Sequence, residues 1–244
     1  ILQIVIILYF YKKLNQMKKI ILLLSLIPSY YYSQVKTDLE VFGNSRGSVF
    51  EVTNTNIKHY PGIDGIPYLD ENFHPITIDG YNKNLPSVRY NAYEDEMEFK
   101  VNNELQFVTK QNDLKFKYSD NGKVYFLTNY IYENKNINGY LVELVGIGKY
   151  KLYKKEKVQV IEYNNNVTNT YLKDKNPYFQ KENDVYLVNN NGIYIKVPKS
   201  TKELTSLLNI TNPKVILDFA KEEKINLKKE VDLVRLFNFI NGLK

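Results

Sequence analysis

The sequence predicts an α+β protein: an antiparallel β meander, either barrel-like or split into two packed sheets, followed by a small C-terminal helical module. Two observations favour this fold class. Between residues 48 and 197, short segments of alternating polar and apolar residues are separated by turns rich in Asn, Asp and Gly, which is typical of strands. After Pro198 the apolar residues recur at the helical period of about 3.6 residues.

The N-terminal region predicts export. Met17, Lys18 and Lys19 form a basic start, residues 20–27 are apolar, Pro28 interrupts them, and residues 29–34 provide a cleavage region. The apolar segment is too short to span a bilayer. The sequence predicts four parts of the chain. Residues 1–16 are upstream translated sequence outside the mature protein, and residues 17–33 are a signal peptide. Residues 34–197 form the β domain, and residues 198–244 form a three-helix module.

Two alternatives for the N-terminus stay open. Tyr31 is bulky where a signal peptidase prefers a small residue, and failed cleavage would leave the apolar segment as a membrane tether. Residues 1–10 are also apolar, so the two segments would form a membrane hairpin if Lys12 and Lys13 lay in its turn. Cleavage before Gln34 instead gives a periplasmic, outer-membrane-associated or secreted protein that meets the membrane only transiently.

The strands are predicted from alternation and from the turns between them. Asn121-Gly122 and Gly192 mark two hairpins, because Asn-Gly favours the tight turns that join antiparallel strands. Gly146 and Gly148 mark a third turn and are not part of a phosphate-binding loop, since the motif has no third glycine and no helix directly after it. The predicted strands are 48–58, 73–78, 88–93, 96–101, 114–118, 123–128, 140–145, 149–153, 157–161, 184–188 and 193–197.

Three helices are predicted after residue 198. Ser200 and Glu203 form a capping box, and Asn212 before Pro213 is an N-cap followed by proline in the first turn. A third helix covers about 229–241, with Gly242 just beyond its end. The residues predicted to be buried are Leu204, Leu207, Leu208, Val215, Ile216, Phe219, Ala220, Leu233, Leu236, Phe237 and Ile240.

Composition excludes several classes of function. The full chain has a net charge of +6, but removing the four lysines that precede Gln34 leaves 29 basic and 27 acidic residues, a net charge of +2. Arg46, Arg89 and Arg235 are the only arginines, so the sequence does not predict a nucleic-acid partner. Because there is no cysteine, lipoprotein anchoring, disulfides and thiol catalysis are excluded.

Candidate catalytic and metal-ligating residues are few. His59 and His74, with Asp64 and Asp70, provide the residue types that bind zinc, but their spacing matches no recognised metal-binding motif. Ser45 lies between two glycines without the strand-to-helix turn that a nucleophilic serine requires. The sequence therefore predicts no cofactor and no metal, with those four residues as the candidates should one bind.

A resemblance to known proteins is found in the β region. Residues 65–69 (Gly-Ile-Pro-Tyr-Leu), Phe73 and residues 89–99 form a pattern that resembles uncharacterised exported proteins of Bacteroidota. The resemblance implies an exported, envelope-associated role. It implies no activity, ligand or catalytic residue.

The same segment has a structural interpretation. Arg89 is expected to form an ordinary cross-strand ion pair if it lies opposite Glu98, worth at most about 1 kcal/mol where such a pair is exposed. Tyr90 and Tyr93 are expected on one face of the hairpin, with residues 94–96 as its solvated turn. The alternative is a ligand site lined by Arg89, Tyr90 and Tyr93.

Taken together, these patterns favour a non-enzymatic binding or structural role in the bacterial envelope, with an envelope component or an extracellular ligand as partner. A metal-dependent or carboxylate hydrolase is one alternative, because His59, His74 and several acids occur in one region. A membrane-tethered protein that retains its N-terminal apolar segment is the other.

Overall fold

The computed structural model describes residue 50 and residues 60–81, 85–163 and 176–243. Within them the chain forms twelve strands followed by three helices, which confirms the predicted α+β class with a C-terminal helical module. The strands are β1 (Ile76–Ile78), β2 (Val88–Asn91), β3 (Glu96–Val101), β4 (Glu104–Phe107), β5 (Leu114–Tyr118), β6 (Val124–Tyr132), β7 (Lys135–Val145), β8 (Tyr150–Lys155), β9 (Val158–Ile161), β10 (Tyr178–Lys181), β11 (Val185–Asn190) and β12 (Ile193–Lys196).

Seven of the described strands form one antiparallel sheet in the order β1-β5-β6-β7-β8-β11-β12. Strands β5 to β8 are consecutive neighbours and form the predicted meander. The three predicted hairpins are present, since β5 pairs with β6, β7 with β8 and β11 with β12. Gly122, Gly148 and Gly192 have positive φ in their turns, where glycine carries no steric cost.

A second, three-stranded sheet in the order β2-β3-β4 packs against one half of the large sheet. The apolar side chains between them form a continuous core, because alternate residues of both sheets point into the shared interface. Strands β9 and β10 form a separate pair, tied to the end of β2 by a backbone hydrogen bond from Val158 to Ala92. The core includes Val88, Tyr90, Met97, Phe99, Phe116, Tyr118, Tyr125, Leu127, Tyr140 and Val142.

The helices α1 (Thr201–Leu207), α2 (Pro213–Glu222) and α3 (Glu230–Gly242) cover the other half of the same face of the large sheet. The Ser200 hydroxyl accepts a hydrogen bond from the Glu203 N–H, as the predicted N-cap requires. The buried side chains of the helices pack on residues of β7, β8 and β11, namely Val145, Tyr150, Leu152 and Val188.

Four details of the helix prediction are wrong. Asn212 makes no side-chain capping hydrogen bond, and Gly242 belongs to the last turn of α3 instead of following it. Leu207 and Val215 are exposed. The reason is helical geometry: the i, i+4 pairs Leu204–Leu208 and Ile216–Ala220 face the core, so a neighbour one position away points toward solvent.

The opposite face of the large sheet has its own buried cluster. Leu141 and Tyr153 alternate along β7 and β8 with residues of the first face, so they point the other way and meet Tyr130 and Leu187. Across this face the edge strand β12 approaches β6 without pairing with it. Strands β6, β7, β8, β11 and β12 therefore curl into a trough that opens between β6 and β12.

Several predicted features lie outside the described residues. They are the segment 1–16, the signal peptide 17–33, Ser45, His59 and, except for Phe50, the strand at 48–58. Within the described residues, strands β4 and β10 occur where no strand is predicted.

Candidate functional site

His74 is buried between two carboxylates. Its Nδ1 lies 2.7 Å from Oδ2 of Asp120 and its Nε2 lies 3.1 Å from Oδ2 of Asp70, while the ring stacks on Tyr118 with 4.4 Å between centroids. An ionised carboxylate only accepts hydrogen bonds, so a ring with protons on both nitrogens satisfies both contacts. His74 thus ties the segment before β1 to the β5–β6 turn, and neither nitrogen is left for a metal or a substrate.

The other metal candidates do not converge on His74 as a set. Asp70 alone of the described candidates contacts His74. The pKa of its carboxyl group is lowered mainly by the hydrogen bond from the N–H of Asn72 and further by His74. Asp64 is engaged elsewhere, where its carboxylate accepts a hydrogen bond of 3.1 Å from Asn176. Within the part of the chain that the structure describes, which leaves out His59, no group of three or more His, Asp or Glu side chains is placed to hold a metal ion.

The predicted pairing of Arg89 with Glu98 is confirmed by the register of β2 and β3. Nη2 of Arg89 lies 2.6 Å from Oε2 of Glu98. The pair is buried, since Glu98 is only 1 % exposed. The ring of Tyr68 lies 3.6 Å from the guanidinium carbon and that of Phe73 lies 4.5 Å from it, so aromatic faces shield the ion pair from water.

Glu98 is satisfied by further donors inside the protein. The Tyr68 hydroxyl donates to it at 3.1 Å and the amide of Asn91 donates at 2.8 Å. Burial, followed by the nearby Glu98 charge, raises the pKa of Tyr68. Burial likewise raises the pKa of Tyr60, which contacts Asn91, to about 12. Because these polar groups satisfy one another, the network is best explained as a structural bracket of the small sheet.

Tyr90 and Tyr93 do not share a hairpin face, contrary to expectation. Tyr90 lies in the core, and its hydroxyl donates to Asp95 at 2.8 Å. Tyr93 follows the end of β2, is 37 % exposed and packs edge-on against Tyr60 and Phe179. The strand alternation is lost there because the side-chain oxygen of Asn91 accepts the N–H of Tyr93 and turns the chain.

The acidic turn after β2 is also less solvated than expected. Asp95 has a φ of 56°, and its carboxylate accepts hydrogen bonds from the Tyr90 hydroxyl and, at 3.1 Å, from the N–H of Tyr140. Burial raises the pKa of Asp95. This turn fastens the small sheet to β7 and therefore has a structural role. The three candidates Arg89, Tyr90 and Tyr93 lie in different surroundings and do not line one ligand site.

The trough contains a cleft that the sequence did not single out. The cleft has a volume of about 600 Å³ and lies between the β6–β7 hairpin and the start of β12. We call it the tyrosine cleft, and the residues that line it are Asn129, Tyr130, Ile131, Asn136, Ile137, Asn138, Gly192, Ile193 and Tyr194.

The half-buried ring of Tyr194 and exposed aliphatic side chains give the tyrosine cleft its apolar surface, and the buried ring of Tyr130 lies beneath them. The rings of Tyr130 and Tyr194 lie 5.9 Å apart, and Tyr194 also packs against Tyr153 at 5.6 Å. Ile131 and Ile193 are 61 % and 66 % exposed, which is high for side chains of this size. Apolar side chains left exposed beside a cleft favour a binding surface.

The polar side chains that line the cleft belong to three asparagines and two tyrosines. Nδ2 of Asn138 donates to Asn129 at 2.8 Å, which orders the amides along one wall. Behind the cleft, the Lys155 ammonium donates to the Tyr130 hydroxyl at 2.7 Å, and burial lowers the pKa of Lys155. Burial also raises the pKa of Tyr130, so its hydroxyl is neutral at ordinary pH.

Comparisons with protein-family models, curated proteins and solved structures found no match to this chain. Among the described residues, no helix is both long and apolar enough to cross a membrane. Function is therefore inferred from the chain's own residues.

Proposed function

We propose that this chain is an exported protein of the bacterial envelope that binds a carbohydrate in the tyrosine cleft and does not catalyse a reaction. The basic and apolar residues 17–34 and the resemblance to exported proteins of Bacteroidota support export. The tyrosine cleft is the observation that carries the binding role, because it combines exposed apolar surface with ordered polar groups in a concave site.

The chemistry of the lining favours a neutral ligand with many hydroxyl groups. No charged residue lines the described cleft. Asparagine amides both donate and accept hydrogen bonds, as sugar hydroxyls require. The face of the half-buried Tyr194 ring carries the negative side of the aromatic quadrupole, which attracts the polarised C–H bonds of a sugar ring.

A non-catalytic role is supported by how the candidate catalytic groups are used. Both ring nitrogens of His74 contact carboxylates, and Glu98 is held by Arg89, Tyr68 and Asn91. A general base needs a lone pair directed at substrate, so these groups are poorly suited to hydrolysis.

Binding is tested with a matched pair of charge insertions. Ile193→Asp places a carboxylate at the wall of the tyrosine cleft, whereas Ile147→Asp places one at the β7–β8 turn, where the side chain is 89 % exposed. Titration with neutral hexose and N-acetylhexosamine oligosaccharides should show binding to the unmodified protein and to Ile147→Asp. Ile193→Asp should weaken it at least about tenfold, because a carboxylate in the cleft must be desolvated when ligand enters. Equal binding by both variants, or no binding to any of these sugars, would contradict the proposal.

Export is tested separately in a bacterial host that expresses the full chain. We expect the protein in the periplasm or the medium, with a mass that corresponds to a start near Gln34. Recovery of the uncleaved chain from membranes would support the tethered alternative, and recovery from the cytosol would contradict export.

A further inference from the structure

We infer that a second groove, at the opposite end of β12, binds a phosphomonoester that carries an apolar group. The groove has a volume of about 630 Å³ and lies between the start of β11, the end of β12 and the connection between α2 and α3. We call it the lysine groove. Its lining residues are Asn183, Asp184, Val185, Tyr186, Lys196, Val197, Pro198, Lys199, Leu227 and Lys228.

The lysine groove has an excess of positive charge. Lys196, Lys199 and Lys228 are exposed, and within the described residues none of them forms an ion pair with a carboxylate. The one acidic residue of the lining, Asp184, already pairs with Lys181 at 3.3 Å. The lining therefore carries three ammonium groups and one carboxylate that is already paired, and this excess of positive charge would attract an anion.

Two lysines close to the groove do form ion pairs. Lys154 pairs with Glu230 at 2.8 Å and Lys157 pairs with Glu182 at 2.7 Å, both close to the same end of the large sheet. The groove lysines have no such carboxylate partner among the described residues, although Nζ of Lys196 lies 6.0 Å from the centre of the Tyr132 ring. Lysine binds phosphate groups as a point charge, and a phosphomonoester carries a charge of about −1.5 to −2 at neutral pH, more than a carboxylate supplies.

The apolar residues of the lining favour a ligand that carries an apolar group beside its phosphate. Val185, Val197, Pro198 and Leu227 give the groove an apolar surface, to which Tyr186 adds a half-buried ring. A free inorganic phosphate would leave this surface in contact with water. A phosphomonoester with an alkyl or acyl group would cover it and gain the corresponding hydrophobic free energy.

Dihexanoyl phosphatidic acid, used below its critical micelle concentration, is the probe for this chemistry. The variant Lys196→Gln/Lys199→Gln/Lys228→Gln removes the three groove charges. The matched control Lys135→Gln/Lys151→Gln/Lys221→Gln removes three exposed lysines from elsewhere and changes the net charge equally. All six side chains are exposed, so both variants should fold.

Calorimetric titration should show binding to the unmodified protein that weakens as salt is added. Each groove lysine should account for about a fivefold change in affinity, so the groove variant should lose roughly a hundredfold and the control less than about twofold. Ile193→Asp should bind the probe normally, which separates this site from the tyrosine cleft. Equal losses in both triple variants would overturn the inference. So would equal affinity for dihexanoyl phosphatidylcholine, or for inorganic phosphate alone.

Discussion

At the scale of single residues, two buried carboxylates of the described chain are held by different chemistry. Glu98 is bound by the planar guanidinium of Arg89 and by neutral donors. Glu156 is bound by two ammonium groups, since Lys123 Nζ lies at 2.9 Å and Lys154 Nζ at 3.1 Å, and by the Tyr125 hydroxyl at 2.9 Å. Removing one partner from such a site costs more than the pair contributes, because the remaining charge stays buried.

Glu156 should also control the acid stability of the fold. Burial alone would raise the pKa of Glu156, but the charges of Lys123 and Lys154 outweigh it, and the pKa lies below its ordinary value of 4.5. A carboxyl group with a depressed folded-state pKa stabilises the fold above its unfolded-state pKa, and this contribution is lost as pH falls through the folded-state pKa.

We therefore expect Glu156→Gln to lower the free energy of unfolding at pH 7 by about 2–4 kcal/mol, measured by urea denaturation. The variant should lose less additional stability than the unmodified protein between pH 5 and pH 2. Glu182→Gln is the control, because its partner Lys157 is half exposed, and it should cost less than about 1 kcal/mol. Equal acid sensitivity in the unmodified protein and in Glu156→Gln would rule out this role.

At the scale of elements, one asparagine joins the last helix to a hairpin turn. Oδ1 of Asn241 in α3 accepts the N–H of Tyr150 at 3.0 Å. Its Nδ2 donates to the carbonyl oxygens of Tyr150 at 2.8 Å and of Ile147 at 3.3 Å. Gly148, with a φ of 110°, lies against this amide, where any side chain would collide with it. The β7–β8 turn and the C-terminal end of α3 are thus built around one side chain.

Asn241→Ala should lower the free energy of unfolding by about 1–3 kcal/mol, because it leaves backbone groups of Tyr150 without partners. The control is Asn238→Ala on the exposed side of the same helix, which should change stability by less than about 0.5 kcal/mol. Amide hydrogen exchange at Tyr150 should accelerate only in Asn241→Ala. If both variants behave alike, Asn241 does not fasten the turn.

Two turns without glycine led to errors in the predicted strands. Asn102 and Asn103 both have positive φ, at 50° and 67°, and form a two-residue turn that leads into the unpredicted strand β4. Glu133 and Asn134, with φ of 49° and 61°, close the β6–β7 hairpin, so β6 extends past its predicted end at residue 128. Glycine marks such turns in a sequence, whereas a pair of other residues in the left-handed region does not.

The tyrosine cleft was missed for a different reason. Tyr130 lies beyond the predicted end of its strand at residue 128, and alternation places Tyr194 on a strand face without indicating what lies across from it. What brings them to one cleft is the curl of five strands, which depends on accumulated twist and on the β-bulge between Glu143 and Val145. Arg89 and Glu98 could be paired in advance because their contact is local, since they are nine positions apart along the chain.

At the scale of the whole molecule, one face of the large sheet is covered by two different structures, the small sheet and the helical module. The small sheet packs on the half that contains β1, β5 and β6, and the helices pack on the half that contains β8 and β11. Leu233, Leu236, Phe237 and Ile240 of α3 are buried in the second interface. The helical module is therefore required to keep an apolar sheet surface away from water.

Ending the chain after Lys199 removes this cover and leaves the side chains of Val145, Leu152 and Val188 exposed. Each buried aliphatic side chain contributes about 1.5–3 kcal/mol, and a domain is stable by only about 5–15 kcal/mol, so the shortened chain should not fold as a monomer. Size-exclusion chromatography should show aggregates, and dye binding should report exposed apolar surface. Removal of Leu243 and Lys244 alone should preserve a cooperative monomer, since both follow the last residue of α3. A monomeric chain ending at Lys199 with cooperative unfolding would instead establish that the β sheets fold independently and that the helices are an addition to them.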